Sequence, residues 1–147
     1  MIYLETSALL KLYIRETGSE FVQAQVFAQD HPLPVWDLQQ AEVTNALRLK
    51  VFWGDLESHR ADELIALFNE RLSKGQYFTP DLDRDRLMGD FRKLSRRTPE
   101  TGCRTLDILH VACALQLEPG RFLSYDDRQR ALAAAVGLSV LPAALPA

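Results

Sequence analysis

Four acidic residues are the side chains of this sequence best suited to chemistry: Glu5, Glu42, Asp107 and Asp126. Glu5 directly follows Ile2-Tyr3-Leu4, a short apolar run typical of a buried strand. Asp126 follows a similar run, Phe122 to Tyr125. The carboxyl ends of parallel strands lie at one edge of a sheet, and ligands bind just beyond them. We therefore expect Glu5 and Asp126 to share that edge.

Asp107 and Glu42 belong to two predicted helices. Asp107 lies in a segment from Leu106 to Leu117 that is apolar nearly all round, which predicts a buried helix. A buried carboxylate is costly unless it is paired, hydrogen-bonded or bound to a metal. Glu42 lies on the same helical stripe as Leu38, Ala46 and Leu49, which it interrupts. Both helices are expected to begin at the sheet edge that carries Glu5 and Asp126.

Four converging carboxylates would repel one another and raise each other's pKa values. A hard divalent cation removes this conflict, and ligation by oxygen alone suits Mg²⁺ or Mn²⁺. Such an ion activates water and neutralises charge on a phosphate. The sequence therefore predicts a metal site that uses all four acids.

Each acid also has a purely structural alternative. Asp107 stands in the first turn of its helix, where it would interact favourably with the helix dipole. Asp126 with Gln129 three residues later fits a capping box, a role compatible with metal binding. Glu42 has a solvated edge position as its alternative, and Glu5 a solvated loop position.

Three neighbouring polar residues have structural alternatives as well. Thr6 and Ser7 are good N-cap residues for the periodic segment that follows them. His110 is more typical of a hydrogen-bonded core histidine than of a ligand or a base.

The composition is that of a soluble globular protein. The chain of 147 residues predicts one domain, with 47% hydrophobic and 25% charged residues and no apolar run long enough to span a membrane. The N-terminus carries no secretory-signal pattern. Cys103 and Cys113, ten residues apart on one predicted helix, would lie about 15 Å apart, too far for a disulfide. These features indicate a cytoplasmic protein.

The net charge of −3 and a pI near 5.6 argue against a globally basic nucleic-acid binder. A basic stretch nevertheless runs from Arg84 to Arg97. Its alternative is a solvated helix face. Five basic side chains, there and just beyond, are candidates for attracting RNA: Arg92, Lys93, Arg96, Arg97 and Arg104.

Strand and helix patterns alternate along the whole chain. That alternation predicts an α/β fold with a central, mainly parallel sheet of about five strands, covered by helices on both faces. A response-receiver fold would require adjacent acids after an early strand and a later lysine at a strand end, and the sequence has neither.

In order and spacing, four segments resemble the PIN-domain family, especially the ribonuclease toxins (VapC) of VapBC toxin–antitoxin pairs. The segments are Ile2 to Tyr13, Ala41 to Val43, Arg104 to Ala112 and Phe122 to Asp126. The resemblance implies a single PIN domain over residues 1–147, with three α/β/α layers. It also implies a Mg²⁺- or Mn²⁺-dependent endoribonuclease that hydrolyses RNA phosphodiester bonds with metal-activated water.

By position, the resemblance makes Glu5, Glu42, Asp107 and Asp126 the catalytic and metal-binding acids, with Ser7 ordering the first. It further implies a homodimer and a cognate antitoxin. The chain departs from the family at Glu5, where an aspartate is usual. The alternative hypothesis is therefore a catalytically weakened PIN-like module that binds RNA or a protein partner.

Overall fold

The computed structural model describes residues 1–146 of the chain. One to three helices separate each short strand from the next. In chain order the elements are β1 (Ile2–Leu4), α1 (Thr6–Leu10), α2 (Ser19–Phe27), β2 (Leu33–Pro34), α3 (Asp37–Phe52), α4 (Ser58–Ser73), β3 (Tyr77–Phe78), α5 (Arg84–Ser95), α6 (Thr98–Thr101), α7 (Thr105–Leu117), β4 (Arg121–Leu123), α8 (Asp127–Ala135) and β5 (Val140–Leu141).

Every strand pair is parallel, which confirms the predicted α/β class. The strands pair in two sets, β1-β4-β5 and β2-β3, whereas the sequence predicted one sheet of about five. The β2-β3 ladder is only two residues long, and Pro34 has no N–H to donate to a neighbour. The sequence thus predicted the number of strands and their parallel direction, but it did not predict which strands pair with one another.

The chain forms two compact units. The terminal unit contains Met1–Ala8 and the chain from Asp81 onward, and the central unit contains Leu9–Pro80. The single domain expected from the sequence stays a prediction. No helix within residues 1–146 has both the length and the apolar character needed to cross a membrane.

In the terminal unit, β1 lies beside β4 and is almost completely buried. Tyr3 pairs with Phe122 across the ladder, and the two rings stack with centroids 5.4 Å apart. Helix α7 packs against α5 and α8, and its Val111 has no exposed surface. All three residues of β1 are buried, so both faces of this strand are covered, as expected for an apolar run in a parallel sheet.

In the central unit, α3 packs against α4. Its fully buried stripe is Gln39, Val43 and Leu47, one position away from the stripe predicted through Glu42. Leu49, assigned to the predicted stripe, is 38% exposed. Two overlapping stripes run along this helix, and the folded chain buries the one that contains Val43 and Leu47. Glu42 therefore borders the buried stripe and is half-buried.

Candidate active site

Glu5 lies at the carboxyl end of β1, where the chain turns into α1. Its N–H donates to the carbonyl of Leu123 at 3.1 Å, which extends the β1-β4 pairing by one residue. Its Oε1 accepts hydrogen bonds from the Ala8 N–H at 2.8 Å and from the Ser7 hydroxyl. The side chain of Glu5 therefore caps α1. The expectation that Thr6 or Ser7 would cap it is wrong, because both lie inside the first turn.

The Glu5 carboxyl group is unusually well buried, with 6% of the residue exposed. Burial raises the pKa of Glu5, because removing water disfavours the charged form. The nearby His110 and the hydrogen bonds from Ser7 and Ala8 lower this pKa, but they do not offset the burial. A positive charge near this carboxyl group would therefore favour its ionised form.

His110 is a hydrogen-bonded core histidine, the alternative that the sequence favoured for it. It is 2% exposed, and both ring nitrogens have partners. Nδ1 lies 2.7 Å from the Tyr3 hydroxyl, and Nε2 lies 3.3 Å from the Thr6 hydroxyl. The ring thereby joins α7 to β1 and α1, one helical turn beyond Asp107.

Asp126 is the N-cap of α8, as predicted. Its Oδ1 accepts from the Gln129 N–H at 2.8 Å, and its own N–H donates to the Ser124 hydroxyl at 3.1 Å. The Gln129 side chain does not complete a capping box. It accepts from the Ser124 hydroxyl at 2.6 Å and donates to the backbone carbonyl of Asp107 at 3.2 Å.

Gln129 is thus the residue that ties the start of α7 to the start of α8. It is completely buried, together with Ser124, Leu132 and Ala133. From its sequence position, Gln129 was expected only to complete a capping box with Asp126. A signal was available, since Gln129 stands three and four residues before two buried apolar positions and so belongs to the core-facing stripe of α8.

Cys103 lies within the electrostatic field of both aspartates. Burial raises the pKa of its thiol, and the charges of Asp107 and Asp126 raise it further, while Arg128 lowers it. Asp107 is half-buried and Asp126 is exposed. Asp107 and Asp126 therefore both lie near Cys103, while Glu5 stands at the carboxyl end of β1, which pairs with β4.

Glu42 belongs to the central unit, in the second turn of α3. Among residues 1–146, no group of three or more His, Cys, Asp or Glu side chains is arranged so that it could hold a metal ion. The four-acid metal site therefore stays a prediction.

The predicted RNA-attracting side chains belong to the terminal unit as well. All five are exposed: Arg92, Lys93, Arg96, Arg97 and Arg104. Two buried leucines of α5, Leu87 and Leu94, anchor the opposite side of that helix. The amphipathic pattern of α5 therefore directs Arg92 and Lys93 to solvent, whereas Arg96, Arg97 and Arg104 lie beyond the end of that helix.

Comparison with known proteins identifies the family. The chain is 32% identical over 142 residues to Ribonuclease VapC46 of Mycobacterium tuberculosis, covering 95% of each chain. The chain belongs to the VapC family. The structure of FitAcB from Neisseria gonorrhoeae has the same fold, with a TM-score of 0.64, 17% identity and 97% of both chains covered. No protein-family model matches the sequence.

The VapC relationship confirms the resemblance inferred from the four sequence segments. FitAcB supports the fold alone, because its sequence identity is low. The residue roles within the site rest on the geometry described above and remain predictions.

Proposed function

We propose that this VapC-family chain is a metal-dependent endoribonuclease and the toxin of a type II toxin–antitoxin pair. The similarity to Ribonuclease VapC46 supports ribonuclease activity. The observation that carries the proposal is the hydrogen-bond network at the rim of the terminal unit. It ties Glu5 to β4, and Gln129 ties Asp126 to the start of the helix that carries Asp107.

The chemistry of the acids suits a hard cation. Carboxylate oxygens are the ligands that Mg²⁺ and Mn²⁺ prefer, and burial of Glu5 penalises its charge unless a cation is near. Glu5, Asp107 and Asp126, together with Glu42, would hold the ion. When bound, it would supply activation of water and neutralisation of charge on the phosphate.

The chain's own side chains have separate tasks in this proposal. The Ser7 hydroxyl and the Ala8 N–H hold Oε1 of Glu5 in one orientation. Gln129 sets the position of Asp126 relative to α7. The five exposed basic side chains in α5 and just beyond it attract the RNA backbone, and we expect their contribution to weaken with salt.

The partners follow from the same proposal. A toxin of this kind acts on RNA in the cytoplasm and is held inactive by a cognate antitoxin. We further propose that the chain folds as a single PIN domain and that two copies of it form a homodimer. Co-purification with the product of a neighbouring gene, and the mass of the free toxin in solution, test these two statements.

One observation favours the alternative, a weakened PIN-like module. Oε1 of Glu5 is already engaged by the first turn of α1, so that the longer side chain turns back on its own helix. Displacement of a reacting group by about 1 Å can cost about 100-fold in rate. The alternative predicts RNA binding that does not depend on Mg²⁺.

Cleavage of a mixture of structured RNAs with Mg²⁺, with Mn²⁺ and with EDTA tests the proposal. We expect metal-dependent cleavage by the wild type and a loss of at least about 100-fold in Asp107→Asn. Asp127→Asn is the matched control, since Asp127 is an exposed acid beside Asp126 and has no predicted role.

The outcomes separate the two hypotheses. Cleavage that survives Asp107→Asn and Glu42→Gln would refute the assigned site. A silent wild type with an active Glu5→Asp variant would support the weakened module, because only the length of one side chain differs. Metal-independent RNA binding without cleavage in any variant would also favour the module.

A further inference from the structure

A concave pocket lies in the central unit, and all of its lining residues belong to that unit. The pocket has a volume of about 550 Å³, within the usual range for small-molecule sites. Its wall includes Leu12, Val26, Phe27, Pro32, Arg71 and Tyr77. Glu42 is not part of this wall, so the proposed ribonuclease chemistry does not explain the pocket.

The apolar side of the pocket is formed largely by the end of α2 and by β2. Phe27 is 86% exposed and lines the pocket at the end of α2. Val26 and Leu33 line the wall beside it. A large exposed aromatic ring at the pocket wall offers a stacking surface to a ligand with a ring of its own.

Arg71 gives the pocket its charge. The guanidinium group lies 4.9 Å from the centre of the Tyr13 ring, and Nη1 donates to the Tyr77 hydroxyl at 3.4 Å. The Tyr13 and Tyr77 hydroxyls in turn lie 2.6 Å apart. These contacts hold the guanidinium group on the wall in a half-buried position.

The neighbouring acid is paired with another cation. Glu70 forms its ion pair with Lys74, and no carboxylate within residues 1–146 forms one with Arg71. Asp30 also lines the pocket, but it is exposed, so solvent weakens its effect on a bound anion without abolishing it. A held, partly desolvated guanidinium group suits a planar anion such as a carboxylate.

We propose that this pocket binds a small molecule that has an apolar, ring-containing body and one anionic group, with the anion paired to Arg71. The apolar body lies against Val26 and Phe27. Binding at this site does not depend on ribonuclease activity, so the two proposals fail or succeed separately.

Two dyes that differ by one charge test the proposal on the full chain. 8-Anilinonaphthalene-1-sulfonate carries a sulfonate, and N-phenyl-1-naphthylamine is the same ring system without it. Both affinities are measured by fluorescence titration. We expect saturable binding of the anion at one site, and a ratio of anion to neutral affinity that falls about tenfold in Arg71→Gln.

Four further variants sharpen the test. Arg71→Lys keeps the charge and should keep most of the ratio. Asp30→Asn should raise the ratio, because it removes the only acid that lines the described pocket. Phe27→Ser should weaken both dyes alike. Arg60→Gln, an exposed arginine of the same helix outside the pocket, should change neither affinity.

Unfolding midpoints of every variant are measured in parallel, because partly unfolded chains also bind such dyes. Phe27→Ser keeps the test decisive if Arg71→Gln is destabilised, since Phe27 is exposed. A ratio that is unchanged in Arg71→Gln and Asp30→Asn would overturn the pairing with Arg71. If Phe27→Ser binds each of the two dyes as tightly as the wild type does, the proposed site is overturned.

Discussion

Replacing Gln129 with leucine should destabilise the terminal unit while leaving its shape nearly unchanged. Gln129 is completely buried, and its side chain makes one hydrogen bond to Ser124 and one to the carbonyl of Asp107. Leucine has a similar size but forms neither bond. Because little volume is lost, the change in the free energy of unfolding reports the two hydrogen bonds.

The magnitude follows from the burial of the partners. The Ser124 hydroxyl has no exposed surface, and leaving its proton without an acceptor costs about 1–3 kcal/mol. The bond to the Asp107 carbonyl contributes about 1 kcal/mol more. We therefore expect a loss of about 2–4 kcal/mol, or a fall in Tm of about 5–15 °C for a chain of this length.

Urea unfolding of the single and double variants measures this network. Ser124→Ala removes the donor, so the double variant Ser124→Ala/Gln129→Leu no longer has an unsatisfied hydroxyl. The double-mutant cycle should give a coupling of about 1 kcal/mol or more. A Gln129→Leu variant within about 0.5 kcal/mol of the wild type would refute the reasoning, because no buried bond would then be lost.

Three further predictions concern the same unit. The raised pKa of Glu5 means that the folded protein holds this proton more tightly than the unfolded chain, so stability falls as the pH rises above the ordinary value of 4.5. In EDTA, the urea midpoint of Glu5→Gln minus that of the wild type should increase between about pH 4 and about pH 8. A difference that stays constant over this pH range would contradict the prediction. Tyr3→Phe loses the bond to His110 and should cost about 1–2 kcal/mol in thermal unfolding, whereas no change would mean that the bond contributes nothing. In a Cys113→Ser background, Mg²⁺ should speed alkylation of Cys103, because neutralising the nearby aspartates lowers its thiol pKa; an unchanged rate would argue against metal binding there.

Local sequence patterns were enough to locate most elements of the fold. The apolar run Ile2–Leu4 becomes β1, and the apolar segment from Leu106 to Leu117 becomes part of the helix α7. Asp126 is the predicted N-cap. Each of these features is decided by neighbours within about one helical turn, so a single sequence contains the information. The order of four short segments also identified the family correctly.

Other features depend on contacts between distant parts of the chain. The stripe that α3 buries was wrongly predicted, because two stripes overlap in the sequence and tertiary packing buries only one of them. The cap of α1 was wrongly assigned to Thr6 or Ser7, because the side chain of Glu5 is long enough to accept a hydrogen bond from the N–H of Ala8. The division of five parallel strands into two sets followed from no local pattern.

The candidate site divides in the same way. The sequence alone determined which acids stand at strand and helix ends, because residue type and periodicity fix those positions. Only the tertiary structure decided that Gln129 links the starts of α7 and α8, and that Glu5 is buried with a raised pKa. Hydrogen bonds and burial of this kind arise between residues far apart in the chain, so no window of sequence contains them.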